Sequence, residues 1–189
     1  MPKLQKLILL FFSINFSLFG TTFLINPVNS SIKFSVKHLF FLTATGSFTS
    51  FDGIAQWNKK NLKTSYVKGT VYVNSIQTVK ETYNQMLLKP TYFDEKKFKT
   101  MSFESTKISK TPSENIYKIK GILTVKGIPI PINENAIITL SQNEKNKATF
   151  HCKTIFFIDR YQCNIAKNIT WPFLAQHVLL SINFAGIQN

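Results

Sequence analysis

Histidine, cysteine and carboxylate side chains are the groups in this sequence that could carry out chemistry, and they are few and scattered. His151, Cys152, Cys163 and His177 could be assembled on paper into a metal site. However, adjacent residues of a β-strand point to opposite faces, so His151 and Cys152 are poorly placed to bind one ion. The nine acidic residues form no paired-carboxylate pattern, and no serine or cysteine lies in a nucleophile motif. The sequence therefore predicts no catalytic residue, no metal ligand and no enzymatic activity.

Arg160 is the only arginine in a chain that carries 22 lysines. Lysine would supply the same charge, but only arginine offers a rigid planar fork of donors. Arg160 follows Asp159 at the end of a predicted strand, where the chain must leave the sheet. We expect the guanidinium to hold backbone carbonyls or a carboxylate there. The alternative is that it faces a ligand phosphate.

Alternation of apolar and polar residues with a period of two dominates residues 21–189 and is typical of half-buried strands. Besides the segments in which this alternation is clearest, three strands are expected near 44–57, 100–108 and 135–142. The clearest segments are 31–39, 67–73, 117–125, 150–158 and 177–185.

One interval, 79–98, lacks this alternation, and its first ten residues suit a short helix that ends before Pro90. We therefore predict an all-β fold, an antiparallel barrel of about eight strands with one short helical crossover. A barrel of this size is either filled by side chains or holds one slender ligand. A two-sheet sandwich is the alternative.

Residues 1–20 combine Lys3 and Lys6 with a short apolar run, 7–19, which is typical of a signal peptide. We expect cleavage after Gly20, a mature domain over 21–189, and a periplasmic or secreted protein; an uncleaved membrane anchor is the competing interpretation. The predicted strand carries the chain away from Cys152 before Cys163 is reached, so we expect two free, mostly buried thiols rather than a disulfide.

The chain has a formal net charge of +14, and removal of residues 1–20 with their two lysines leaves +12. Such an excess could attract anionic lipid or nucleic acid. The lysines are dispersed, however, and Lys, Asn, Ile and Phe are abundant throughout, as in proteins from A/T-rich genomes. The near absence of arginine argues against specific recognition of nucleic acid, and no nucleic-acid partner is expected.

The order of several motifs resembles the YceI-like family of polyisoprenoid-binding proteins over about residues 23–186. The most specific pieces are Ser35–His38, Tyr92–Asp94 with Phe98 and Phe103 after it, and Gly121–Gly127. The resemblance implies an exported, lipocalin-like barrel that encloses a long apolar tunnel for an isoprenoid chain, such as a polyprenyl or quinone tail. It implies no catalytic activity and no cofactor apart from such a bound lipid.

The chain departs from the family pattern at several positions. Tyr83–Asn84 and Met86–Leu87 replace the charged Arg-Asp pair and the His-Leu that members usually carry in the helical segment. Asn164 replaces a glycine that is common after the late arginine, and Asn26 replaces an aspartate near the start. The helical segment is expected at the tunnel mouth, so these changes bear on the preference for a ligand headgroup more than on the fold.

The predicted function is an exported carrier for a long-chain isoprenoid lipid. The alternative is a basic surface module with a filled barrel that binds anionic membrane or nucleic acid. Transient contact with an anionic membrane surface is a further candidate interaction, and the oligomeric state is left open, a dimer being one option. The predicted ligand-binding residues are apolar except for His38, and comprise Phe34, Val36, His38, Val71, Met86, Leu87, Phe93, Phe103, Leu123, Phe156 and Ile182.

Overall fold

The computed structural model describes residues 20–142 and 147–189. Within them the chain forms eleven strands and a single α-helix. The strands are β1 (Thr21–Ile25), β2 (Ser31–His38), β3 (Leu42–Phe48), β4 (Phe51–Trp57), β5 (Tyr66–Tyr72), β6 (Ile76–Thr78), β7 (Thr100–Lys110), β8 (Ile116–Val125), β9 (Ile128–Gln142), β10 (Ala148–Asp159) and β11 (His177–Gln188), and the helix is α1 (Glu81–Leu87).

Eight antiparallel strands close into a barrel in the order β1–β4–β5–β7–β8–β9–β10–β11, and the ring closes because β1 also pairs with β11. Toward one end of the barrel, β2, β3 and β6 continue the walls begun by β1, β4 and β5. The predicted antiparallel barrel of about eight strands is therefore confirmed, because the eleven segments form eight long strands, three of which are interrupted.

The interruption between β1 and β2 shows how the barrel wall survives such a break. A short 3-10 turn, Pro27–Asn29, separates the two segments, and the Oδ1 atom of Asn26 accepts a hydrogen bond from the amide of Val28 at 3.0 Å. The amide of Asn26 donates to the carbonyl of Ala185 at 2.7 Å, and the amide of Ala185 donates to the hydroxyl of Ser30 at 2.9 Å. The continuous strand β11 thus stays bonded to the wall across the break.

The period-two alternation correctly identifies the residues that point into the barrel. Phe150, Cys152, Phe156 and Ile158 on β10 are all buried, whereas Phe157 between them is exposed. Alternation follows from strand geometry, because successive side chains point to opposite faces. The interior is apolar because burying such side chains is the main favourable term in folding.

One end of the barrel is sealed by packed aromatic side chains. The rings of Trp57 and Tyr117 meet edge to face at 4.8 Å, and Phe150 lies 5.5 Å from Phe23 and 5.8 Å from Trp57. All four side chains are buried. We call this cluster the floor.

The opposite end is open between strands. Of the three segments that continue the walls at this end, the last, β6, pairs with β3 alone. The next strand along the chain, β7, pairs instead with β5 over Lys68–Tyr72. Segment 79–99, which includes α1, follows β6 at this point, and its end is tied to the wall by the bond from the amide of Val73 to the carbonyl of Lys99 at 2.9 Å. We call this end the entrance.

Several boundaries differ from the sequence-based expectation. The segment expected near 44–57 is two strands, β3 and β4, because the chain bends at Thr49–Ser50. The strand expected over 135–142 begins at Ile128, since Pro129 and Pro131 are accommodated within β9. Strands β1 and β6 were not predicted because they are too short to show clear alternation. The helix expected in 79–88 is found as Glu81–Leu87.

The predicted signal peptide, residues 1–20, falls outside the described residues except for Gly20. Among the described residues, no helix has the length and apolar character needed to cross a bilayer.

Candidate ligand cavity

The barrel encloses a cavity of about 670 Å³ between the floor and the entrance. Its wall includes every second residue of β10 from Cys152 to Ile158 and then Arg160. At about 3.3 Å per residue, this run covers roughly 26 Å of strand. The volume lies within the roughly 300–1,000 Å³ that small-molecule sites occupy. The cavity is therefore long and closed at one end.

The structure places all eleven predicted ligand-binding residues on the wall of this one cavity. Strand residues such as Phe34, Val71 and Ile182 reach it by alternation, whereas Met86, Leu87 and Phe93 enter from the segment that covers the entrance. His38 lies at the rim, at the end of β2. Contact of these residues with a ligand stays a prediction.

Two glycines keep aromatic rings flat against the cavity wall. Phe34 lies directly opposite Gly46 in the β2–β3 ladder, and its ring occupies the place that a Cβ atom of Gly46 would take. At Gly121, a Cβ atom would lie 2.5 Å from the ring of Phe103 and 2.6 Å from the backbone oxygen of Glu104. The absence of a side chain at both positions lets the rings line the cavity without filling it.

Arg160 is 2% exposed and holds the connection between β10 and β11 together. Its Nε atom donates to the carbonyl of Ala175 at 2.7 Å. The two Nη atoms donate to four further carbonyls, those of Ile165, Ala166, Ile169 and Leu174, and Nη2 also approaches the hydroxyl of Tyr161 at 3.4 Å.

All five N–H donors of the guanidinium of Arg160 are therefore engaged. Burial lowers the pKa of Arg160, which nevertheless stays charged, because the intrinsic value of arginine is so high. The expected structural role of Arg160 is confirmed. Because all five donors are engaged, none is free to contact a ligand phosphate. The alternative, in which Arg160 faces such a phosphate, is therefore not supported.

A second buried cation braces the entrance from the β8–β9 turn. Lys126 is buried, and its Nζ atom donates to the carbonyl of Pro90 at 2.9 Å and to that of Asn164 at 3.0 Å. Burial lowers the pKa of this lysine, while the nearby carboxylate of Asp94 opposes the shift. Lys126 thus ties the segment that carries α1 to the β10–β11 connection. No feature of the sequence distinguishes Lys126 from the 21 other lysines.

Both cysteines are free and buried, as the strand geometry predicted. Cys152 and Cys163 lie on the cavity wall. Burial raises the pKa of each thiol to about 12, so both are neutral near pH 7 and act as apolar wall groups. His151 points away from the cavity and lies 3.2 Å from the hydroxyl of Ser141. The two neighbours therefore face opposite sides of the barrel wall.

Glu134 is a wall residue that the sequence analysis missed. The inward-facing positions of β9 are Ile130, Ile132, Glu134, Ala136 and Ile138, so one carboxylate interrupts an otherwise apolar row. Within the described residues, the carboxylate of Glu134 makes no hydrogen bond or ion pair. Glu134 is therefore a polar group on the wall in addition to the predicted ligand-binding residues, of which His38 alone is polar. The alternation in "IPINENAII" contains the signal that could have revealed it.

Three of the departures from the family pattern have clear structural roles. Asn84 accepts hydrogen bonds from the amide and the hydroxyl of Thr78 at 2.8 Å each, and so fixes α1 to β6. Asn164 has a φ angle of +52°, a conformation in which asparagine is the best substitute for glycine. Asn26 caps the turn between β1 and β2, as described above.

A closed antiparallel barrel with one blind apolar cavity defines the class of lipocalin-like proteins. A family model described as "YceI-like domain" matches residues 23–185, so the chain belongs to the YceI-like family. A UPF0312 protein of Yersinia pestis is 29% identical over 113 residues, which are 60% of this chain and 58% of that protein. The chain thus spans little more than half the length of the curated relatives it matches.

Solved structures share the fold at low sequence identity. BcnA of Burkholderia cenocepacia has a TM-score of 0.75 at 20% identity, covering 85% of this chain and 98% of that one. A polyisoprenoid binding domain from Saccharophagus degradans has a TM-score of 0.68 at 9% identity, covering 90% of this chain and 99% of that one. Both are similar to this chain in architecture.

Proposed function

We propose that this protein is a binding or carrier protein for a long-chain isoprenoid lipid, such as a polyprenyl or quinone tail. The observation that carries the proposal is the cavity of about 670 Å³, whose wall is almost entirely apolar. A hydrocarbon chain needs no hydrogen bond to be held, only exclusion from water. A chain that buries about 400 Å² of apolar surface gains about 10 kcal/mol before association costs are subtracted.

The family and one structural neighbour support this proposal. The YceI-like match covers nearly all of the described chain, and the neighbour from Saccharophagus degradans is named as a polyisoprenoid binding domain. The hollow interior argues against the alternative of a filled barrel that acts only through its basic surface.

Binding without catalysis is part of the proposal. Besides Arg160, whose donors are engaged, the cavity wall offers neutral thiols, two tyrosines, Asp52, Glu134 and the rim residue His38. We propose that these groups do not act together in general acid–base or nucleophilic catalysis. The role we propose for the wall is to exclude water from the bound chain.

Export to the periplasm or beyond is likewise proposed, on the basis of residues 1–20. A long isoprenoid lipid is almost insoluble in water, so a carrier in an aqueous compartment next to a membrane would have a clear use for a closed apolar cavity.

The test is to fill the cavity with a side chain. In the variant Ile182→Trp, a large ring is added on the inward face of β11, beside Ile32 and Thr154. We expect uptake of a polyprenyl or quinone lipid from detergent solution, measured by extraction and mass spectrometry, to fall at least about tenfold, since lost contact and steric exclusion both oppose binding.

The matched control is Asn183→Trp, which places the same ring on the next residue of the strand, where it points outward and is exposed. Its uptake should equal that of the unmodified protein. Equal uptake by all three proteins, or recovery of the unmodified protein with no lipid under any condition, would contradict the proposal.

A further inference from the structure

Exposed apolar side chains surround the entrance of the cavity. They come from three separate parts of the chain: the β2–β3 tip, the segment around α1, and the β10–β11 connection. Leu39, Val79, Tyr83 and Phe173 both line the cavity and are exposed. We call the whole set the entrance patch; it comprises Leu39, Phe40, Phe41, Val79, Tyr83, Trp171 and Phe173.

The two most aromatic parts of the entrance patch meet. The rings of Phe40 and Trp171 pack edge to face, with centroids 5.7 Å apart and planes at 82°. The amide of Ala175 donates to the carbonyl of Lys37 at 2.8 Å, which joins the β10–β11 connection to the end of β2. The aromatic residues of both loops are therefore presented together and at the same level of the barrel.

The backbone at the β2–β3 tip has an unusual conformation that keeps these rings in solvent. Leu39 and Phe40 have φ angles of +45° and +69°, which bulky residues rarely adopt. Phe40 is 63% exposed and Phe41 79% exposed. The folded monomer gains little from aromatic residues held this way, and such outliers are concentrated at functional sites.

The other end of the barrel does not share this character. Its described connections include 58–65 and 111–115, which are rich in Asn, Lys, Ser and Thr. Among the described residues, none of the exposed large apolar side chains lies in those two connections. The entrance patch is therefore a property of the end through which a ligand must pass.

We propose that the entrance patch docks onto an anionic lipid bilayer, with its aromatic side chains in the interface and the cavity facing the acyl chains. Aromatic side chains are favoured at this depth of a membrane, and contiguous apolar patches mark interaction sites. This proposal names the donor or acceptor of the lipid and so rests on the proposed function.

The charge around the entrance selects a bilayer over a second copy of the chain. The segments 37–42, 79–99, 126–127 and 159–177 contain nine Lys or Arg residues and four Asp or Glu residues. Lys37, Lys80 and Lys167 are exposed there. A second copy would bring the same positive excess and be repelled, whereas anionic headgroups are attracted to it.

Docking would also explain how a lipid could move between membrane and cavity. A hydrocarbon that crossed water would lose the apolar contacts of both environments at once. With the entrance patch in the interface, the chain passes directly from acyl chains to the apolar wall.

Tryptophan fluorescence provides the test, because the chain has two tryptophans in very different places. Trp57 is 4% exposed in the floor, and Trp171 is 53% exposed in the entrance patch. The full-length protein is mixed with vesicles of phosphatidylcholine alone or with phosphatidylglycerol added. We expect a blue shift and quenching by lipids brominated in the acyl chains, stronger with phosphatidylglycerol, and neither change in Trp171→Phe, which reports Trp57 alone.

A pair of matched variants tests which surface docks. The double variant Phe40→Ser with Phe41→Ser should reduce partitioning of Trp171 into vesicles at least about tenfold. The control is Phe157→Ser on the outer wall, because Phe157 at 64% is as exposed as Phe40; it should change partitioning less than about twofold. The apolar N-terminal residues are common to all variants, so they cannot produce a difference among them.

Lipid uptake from detergent, measured on the same proteins, separates the two proposals. If the unmodified protein takes up lipid from detergent but Trp171 never enters vesicles, docking is wrong while the carrier function stands. If Trp171 enters vesicles but no lipid is taken up, docking stands and the carrier function fails. Two results would overturn docking through the entrance. One is a loss of vesicle partitioning in Phe157→Ser as large as that in the double variant. The other is a blue shift of Trp171 in the absence of vesicles together with a doubled mass in light scattering.

Discussion

Arg160 is a structural residue at the start of the long β10–β11 connection, which contains no helix or strand. Its five donors satisfy backbone carbonyls that a buried connection would otherwise leave unpaired. Lysine would place three donors on one atom and could not reach carbonyls on several sides. One guanidinium thus contacts carbonyls along most of the β10–β11 connection, from Ile165 to Ala175, on both sides of the loop that carries Trp171.

Replacing Arg160 by lysine should destabilise the protein by about 3 kcal/mol or more, because several buried carbonyls lose their donors while a charge stays buried. Urea unfolding monitored by circular dichroism measures this. Lys167→Gln, an exposed change in the same connection, should shift the free energy of unfolding by less than about 0.5 kcal/mol. Equal stability of Arg160→Lys and the unmodified protein would show that the network does not hold the loop.

Glu134 should weaken the binding of any hydrocarbon that reaches it, since a carboxylate without a partner must lose water when the ligand enters. We expect Glu134→Leu to tighten isoprenoid binding about tenfold, equivalent to ~1.4 kcal/mol. Asn133→Leu, an exposed neighbour on the outer face, is the control and should leave affinity unchanged. A weaker affinity in Glu134→Leu would show instead that the carboxylate contacts a polar part of the ligand.

These two residues mark what residue types alone can predict. A single arginine among lysines correctly indicated a need for donor geometry, because that need is local. The position of Glu134 was visible in the alternation of β9, but its lack of a partner was not, since partners come from other strands. The role of Lys126 was invisible for the same reason.

Three of the eight barrel strands are interrupted, between β1 and β2, between β3 and β4, and between β5 and β6. Backbone hydrogen bonds to a neighbouring segment are found at the interruptions, as from Asn26 to Ala185 and from Thr49 to Ser75. A further irregularity, the bulge between Ser105 and Lys107, is compensated by the hydroxyl of Ser105, which accepts from the amide of Val67 at 2.8 Å. Alternation predicted which faces point inward, but it could not predict breaks whose hydrogen bonds are completed by distant strands.

The glycine positions give a test at this scale. Gly121→Ala should destabilise the barrel by about 1–3 kcal/mol, because the new Cβ atom meets the backbone oxygen of Glu104 and pushes the ring of Phe103 into the cavity. In Gly69→Ala, the nearest atom, the oxygen of Asp52, would lie 3.5 Å away, so this control should be close to neutral. Urea midpoints of the two variants decide the matter, and equal values would contradict the packing argument.

The protein as a whole combines a filled floor at one end of the barrel with a hollow interior that extends from it to the entrance. The sequence predicted the barrel, because about eight strands must dispose of their edges, but it could not predict where the interior is filled. Phe150 and Phe156 share one face of β10, yet Phe150 belongs to the floor and Phe156 lines the cavity. Whether inward side chains meet across a barrel depends on residues from all its strands.

If a lipid occupies the cavity, the free energy of unfolding should depend on the lipid concentration. With free lipid at about 100 times its dissociation constant, the folded state should gain about 2.7 kcal/mol, which for a domain of this size raises the melting temperature by roughly 5–10 °C. Calorimetry of the protein before and after removal of lipid measures the difference. Ile182→Trp, whose cavity is filled, should show no such response, and an identical response in both proteins would argue against binding in the cavity.

The floor has a consequence for the order of events in transfer. Because Phe23, Trp57, Tyr117 and Phe150 seal one end, a ligand reaches the cavity through the entrance at the other end. On the function proposed above, an isoprenoid enters with its tail leading, and its polar head stays at the rim, beside His38 and the aromatic loops. A membrane or protein that accepts the lipid would then contact its head first. The donor and the acceptor of the lipid would therefore have to use the same entrance one after the other.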